Sequence, residues 1–237
     1  HHGICMSSVV RSGKIRDCYW AAHRHEMKPK TDRGGIKMKI NNNLKGLVLL
    51  VSVSLSACAQ PELPKDHYYR LNITAPQQAK QEVMFDGIIE IERFVADGLT
   101  AGRSIVYSDS GNEQQLMEYH YHFWTEPPII MLRDQLIDFL CAANVAKIVV
   151  SPEMRARPDY RLTAKIKRLE KVVGSRPSAI AELELGLQNE KNGEIVHLAN
   201  YQVEVKAQSQ SVDDAVIAMN KALRKIYTRF VASLRRL

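Results

Sequence analysis

The sequence predicts a single mixed α/β domain in which a mixed β-sheet with hairpins is covered by two main helices, in two halves of similar rhythm. Three observations carry this expectation. Apolar and polar residues alternate along 117–123 and 160–167, the signature of half-buried strands. Asp109-Ser110-Gly111-Asn112 and Glu190-Lys191-Asn192-Gly193 interrupt such runs as hairpin turns. Val216, Met219, Leu223, Ile226, Phe230 and Leu234 then recur every three or four residues, which marks one buried face of a long helix.

Taken in order, His67 to Ile73 reads as a first strand and 76–81 as a loop. Met84 to Val95 is a second strand region, where Ile89 and Ile91 alternate with Glu90 and Glu92. The cluster 96–102 is a turn, and Arg103 to Tyr107 a third strand. Its hairpin partner runs from Gln115 to Trp124, with Met117, Tyr119, Tyr121 and Phe123 on one face and Glu118, His120 and His122 on the other. Pro127-Pro128 opens a helix, because first-turn amides have no intrahelical acceptor and proline loses nothing there. Ile129, Leu132, Leu136, Ile137 and Leu140 form its buried face, with Arg133, Asp134 and Asp138 outside. Strands follow at 147–150, from Tyr160 through Lys167, through Ala181, Leu183, Leu185 and Leu187, and from Ile195 to Val205. Ser211 caps the last helix, with Asp214 in the third position. Its apolar face either binds a partner or, as the simpler expectation, packs on the sheet, which needs a cover.

Charge narrows the function classes. The 237 residues carry a net charge of +7, but residues 1–57 hold ten Lys/Arg against three Asp/Glu, so the remainder is balanced at 23 of each. A balanced body argues against a nucleic-acid partner. The amino-terminal excess has its own cause. Lys39 and Lys45 precede an apolar run from Gly46 to Leu55, which ends in Leu55-Ser56-Ala57-Cys58. A basic start, a run of about 10 apolar residues and small residues at the end describe an export signal, too short to span a bilayer, which takes about 20. Leu-Ser-Ala-Cys there resembles the bacterial lipobox. That resemblance implies cleavage between Ala57 and Cys58 and fatty acylation of Cys58 (palmitate-type chains and a diacylglycerol), a covalent lipid rather than a cofactor. Ala59, in place of Asp, then points to the outer membrane and its periplasmic face. The expected organisation is an upstream extension over 1–37, absent from the mature protein; a signal at 38–57; a tether at 58–66 containing Pro61 and Pro64; and a body at 67–237.

Little in that body suggests chemistry. Removing the signal leaves Cys58 and Cys141, so a lipidated Cys58 leaves no intrachain disulfide, and Cys141 reads as a small buried hydrophobe. A zinc knuckle from Cys5, Cys18, His23 and His25 has poor spacing. Glu118, His120 and His122 share a strand face and could begin a zinc-hydrolase site, but the third outside ligand would have to be His67 or His197; a solvated face is the simpler expectation. Gly-x-Ser-x-Gly and phosphate-loop motifs are absent, so neither catalysis nor a metal is expected. Arg161, Lys165, Lys167, Arg168 and Lys171 make a basic stripe, either a surface for anionic headgroups or an acidic partner, or a solvated face offset by Glu182 and Glu184 across a hairpin.

Lipobox Cys58, Tyr68-Tyr69-Arg70-Leu71, Arg103-x-Ile105-Val106-Tyr107, the run Trp124-Thr125-Glu126-Pro127-Pro128-Ile129-Ile130-Met131-Leu132, and Asp159-Tyr160-Arg161-Leu162 follow one another in an order that resembles the ABC-type transport auxiliary lipoprotein family. The resemblance implies a non-enzymatic, outer-membrane lipoprotein. It would dock and anchor the outer end of a lipid-transport system built on a membrane-spanning protein of the mammalian-cell-entry (MCE) type and its permease. Self-association is compatible with it. Tyr68, Tyr69, Leu71, Trp124, Pro127, Pro128, Leu132, Tyr160 and Leu162 would be structural signature residues. The alternative is a periplasmic lipoprotein that assists outer-membrane assembly or binds cell wall.

Overall fold

In chain order the elements are β1 (His67–Tyr69), β2 (Phe85–Ile91), β3 (Val95–Ala96), a 3-10 turn (Gly98–Ala101), β4 (Ser104–Asp109), β5 (Asn112–Trp124), α1 (Pro128–Ala142), β6 (Ala146–Val150), a second 3-10 turn (Pro152–Met154), β7 (Tyr160–Val173), β8 (Ser178–Asn189), β9 (Ile195–Lys206) and α2 (Val212–Leu234). The structure is a computed structural model that describes residues 64–74 and 82–237. The expected extension, signal, cleavage pair Ala57/Cys58, lipid site and candidate knuckle, and the loop at 76–81, lie outside the described residues.

The nine strands form one mixed sheet, as expected, and β7 organises it. One side of β7 pairs antiparallel with β8 along its whole length, and β8 with β9. The other side is shared end to end by three short parallel strands: β2 against Tyr160–Leu162, β3 against Lys165–Ile166, and β4 against Glu170–Val173. From there β2 leads to β6, and β4 leads through β5 to β1. The second strand region is therefore broken after Ile91, where the chain must step along β7, and the first strand is only three residues long. In each half a helix follows a hairpin.

The core lies between the sheet and the helices. α2 buries all six residues of the expected stripe, and Leu223, Ile226 and Phe230 are fully excluded from solvent. It lies on β8 and β9, while α1 lies against β6 and meets α2 through an edge-to-face contact of Phe139 and Tyr227, 5.5 Å between ring centres. The Tyr227 hydroxyl donates to the Leu132 carbonyl at 2.9 Å, and burial raises its pKa.

Two expectations about faces are corrected. Arg133 is buried, not outside: the turn after β6 brings Glu153 over α1, and the guanidinium donates to Glu153 (2.9 Å) and Asp134 (2.8 Å), so the charge enters with its partners. The Glu153 carboxyl is held down to about 2 by hydrogen bonds from the Ser151 hydroxyl and its own backbone N–H, with Arg133 adding to them. The alternation in β5 also fails. Ser104 pairs with Phe123 but Val106 pairs with Glu118, so two steps along β4 answer five along β5. This bulge exposes both His120 and Tyr121 and reverses the facing of the residues beyond them.

Glycine is required at the turn after β7. Gly174 has φ +126°, and a Cβ there would strike the Ser110 hydroxyl of the β4–β5 turn. The two turns are tied by Ser110 N–H to Val173 O at 2.9 Å.

Candidate functional site

The signature residues assemble mainly at one corner. β1 runs parallel to the end of β5, pairing Tyr68 with Phe123 and Tyr69 with Trp124, so motifs more than fifty residues apart in sequence become neighbours. Thr125 N–H continues the ladder to Tyr69 O at 2.8 Å. Trp124 is almost fully buried; its backbone N–H donates to Arg103 O at 2.7 Å, and the Arg103 guanidinium returns to the carbonyls of Trp124 (3.2 Å) and Thr125 (3.1 Å). The Arg103 head also lies 5.8 Å from the centre of the Tyr68 ring. Pro127 takes the N-cap position and Pro128 begins α1; the Pro127 carbonyl accepts from Ile130 (2.9 Å) and Met131 (3.2 Å). Leu71 and Leu132 are in the core. Tyr160 and Leu162 lie elsewhere, at the start of β7, where Tyr160 meets Phe85 edge-to-face at 4.9 Å and Leu162 accepts from Glu92 N–H. Tyr68 is the exposed member, at 57%.

The candidate zinc triad is divided by the β5 bulge. Glu118 and His120 stay exposed, while His122 turns to the other face, stacked on His67 at 5.0 Å and with Nδ1 2.9 Å from the Tyr69 hydroxyl. Burial lowers the His122 pKa, with smaller contributions from His67 and Lys171 in the same direction and Asp213 against them. His197 lies on β9 against Tyr201 (2.8 Å) and Phe230. Among the described residues, no group of three or more His, Cys, Asp and Glu is placed to hold a metal. Cys141 is partly buried against the core near the end of α1.

The bulge instead builds a polar-aromatic cluster that the alternation did not suggest. Tyr119 meets His122 edge-on at 5.2 Å and Tyr107 at 4.5 Å. Lys171, 2% exposed, points into this cluster: its ammonium donates to the Tyr119 hydroxyl at 2.8 Å and to the Gln210 carbonyl just before α2. Burial lowers the Lys171 pKa and raises that of Tyr119. The cluster joins β1, β4, β5 and β7 to the entry of α2, a bracing arrangement in which His122, Tyr119 and Lys171 each hydrogen-bond a neighbour.

The other members of the basic stripe are in ion pairs. Arg161 meets Glu92 (3.0 Å) and Glu190 (3.2 Å), Lys165 meets Asp97 (2.7 Å), Lys167 meets Glu184 (3.8 Å), and Arg168 meets Glu170 and Glu113. Glu182 adds to the field at Arg168 while accepting from Asn200. The stripe is therefore a locally neutralised sheet face.

Comparison with known proteins places this architecture. A protein of Xanthomonas campestris assigned to the family DUF330 has a TM-score of 0.60 at 19% identity, over 69% of this chain and 92% of that one. An uncharacterized protein follows at 0.55 and 16%, over 72% and 99%. The PelC dodecamer from Paraburkholderia phytofirmans aligns over 65% of this chain and 89% of that one at 14% identity, with a TM-score of only 0.37. No match was found among curated protein sequences. The family model described as the ABC-type transport auxiliary lipoprotein component matches residues 69–230, from the second tyrosine of the corner to the last buried phenylalanine of α2. The chain belongs to the ABC-type transport auxiliary lipoprotein family.

Proposed function

We propose that this chain is a non-enzymatic lipoprotein of the outer membrane, held on the periplasmic face through acylated Cys58. Its body docks and anchors the outer end of an MCE-linked, ABC-type lipid-transport system and its permease. The family match over 69–230 carries this reading. The sequence before the body supports the anchor: Leu55-Ser56-Ala57-Cys58 follows a short apolar run, and Ala59 replaces the Asp of inner-membrane retention. Two or more acyl chains make a stable attachment where one is marginal. No helix among the described residues is long and apolar enough to cross a membrane, so an acyl anchor would supply what α1 and α2 do not.

Affinity isolation of the tagged protein from outer-membrane extracts tests the partner; an MCE-type protein and its permease should accompany it. Correct outer-membrane placement without either would sink the transport role, and co-sedimentation with cell wall would favour the alternative. Mass spectrometry tests the anchor: the mature chain should begin at Cys58 with acyl mass added. Cys58→Ala should leave the body unattached or its leader uncut.

A further inference from the structure

β9 ends the sheet. One side pairs with β8, and among the described residues the other side has no partner strand. An open strand of 12 residues presents a row of backbone donors and acceptors ready to receive another strand. The exposed face of α2 runs beside it. From 215 to 237 there is no Asp or Glu and there are six Lys/Arg, while residues 58–214 carry 17 Lys/Arg against 23 Asp/Glu. Lys221, Arg224, Lys225 and Arg229 are exposed, and among the described residues none is in an ion pair, unlike the β7 cations. With Thr228 and Val205 they line a groove of about 490 Å³ between helix and strand. Arg229 extends to the Gln202 carbonyl of β9 at 3.5 Å.

We propose that the open edge of β9 and the cationic face of α2 form one docking groove for an extended, acidic segment of a partner protein. The segment adds a strand to β9 and sets its carboxylates against Lys221, Arg224, Lys225 and Arg229. Two other occupants fit less well. A second copy paired β9 to β9 would bring two cationic helices together, a like-charge contact. Anionic headgroups could meet the cations of α2, whose Asn220 accepts from Asn72 N–H at 2.8 Å just after β1, but a bilayer offers no backbone to pair with the open edge of β9.

The test uses the full mature protein in detergent, with a decapeptide of alternating Glu and Val as probe. Hydrogen–deuterium exchange should slow across 195–206 when the peptide binds. Its affinity should fall about ten-fold or more between low and high salt, and by a similar factor in K221E/R224E/K225E. These three side chains are exposed, so the variant should keep the wild-type melting temperature within a few degrees. The lysine–valine analogue should not bind. Absence of protection in β9, or wild-type affinity in the triple variant, overturns the proposal. So does protection of β9 that grows with protein concentration alone, which would mean self-pairing. Phosphatidylglycerol vesicles that bind through the same cations when the peptide does not would assign the face to membrane and overturn the peptide groove. If the peptide fails while the MCE-type protein is still recovered, only this groove is lost. If the peptide binds and that recovery fails, the transport reading is lost and the groove stands.

Discussion

Lys171 and its neighbours show how position decides what a side chain does. In sequence it closes a basic stripe; in the fold it lies on the inner side of a sheet whose outer charges are paired, and it spends its protons on Tyr119 and Gln210. The same cluster sets a pH response. The folded protein keeps His122, and likewise His197, neutral to lower pH than the unfolded chain does, in both cases through burial first. As pH falls through about 6.5 the unfolded state takes up the proton earlier, so stability present above that pH is lost below it. Thermal melts should therefore drop by a few degrees between pH 7.5 and 5.5, and H122Q/H197Q should flatten that dependence; an unchanged slope would refute the assignment. At Tyr227 the consequence is independent of pH. Tyr227→Phe keeps the ring against Phe139 but leaves the buried Leu132 carbonyl without its donor, which should cost about 1–2 kcal/mol in urea denaturation.

At the scale of elements, α2 was the most legible part of the chain and β5 the least. The helical period predicts its buried stripe because every member faces one continuous apolar surface, and Ser211 caps it as expected, its hydroxyl accepting from Asp214 N–H at 3.1 Å. The reciprocal half of a capping box is not made; Asp214 instead accepts from the Ser209 hydroxyl, and Ser209 Oγ receives the Ser211 N–H. Leu223→Ala should cost about 2–5 kcal/mol through its cavity, and Ser211→Ala about 1 kcal/mol, both read as shifts in denaturation midpoint at constant slope. In β5 strict alternation failed because a bulge answers the pairing of β4, not the residues of β5 itself. Once it is inserted, His122 leaves the face of Glu118 and His120, and a triad of suggestive spacing ceases to exist as a site. Arg133 is the same lesson on α1: a charge reads as exposed until another element delivers Glu153 to it.

Across the whole molecule, the sheet sets a direction from the entry strand β1 to the open strand β9. In strand order the proposed attachment precedes β1 and the proposed acidic segment would join β9, while Asn72 after β1 bonds Asn220 of α2. Order and local pattern settled much of this from the chain alone. The signature motifs, the alternation of β7, the turns at 109–112 and 190–193 and the α2 stripe are all short-range regularities, and each needs only its own neighbours to be read. The acid-free stretch 215–237 was equally visible, but its meaning required knowing that it lies beside an unpaired strand edge. Tertiary structure alone decided that β2, β3 and β4 share one side of β7, that the tyrosine and tryptophan motifs meet at one corner, that the basic stripe is neutralised, and that Lys171 turns inward. Those outcomes depend on strand register and long-range pairing, where a single inserted residue reverses every side chain beyond it and no local pattern records the partner.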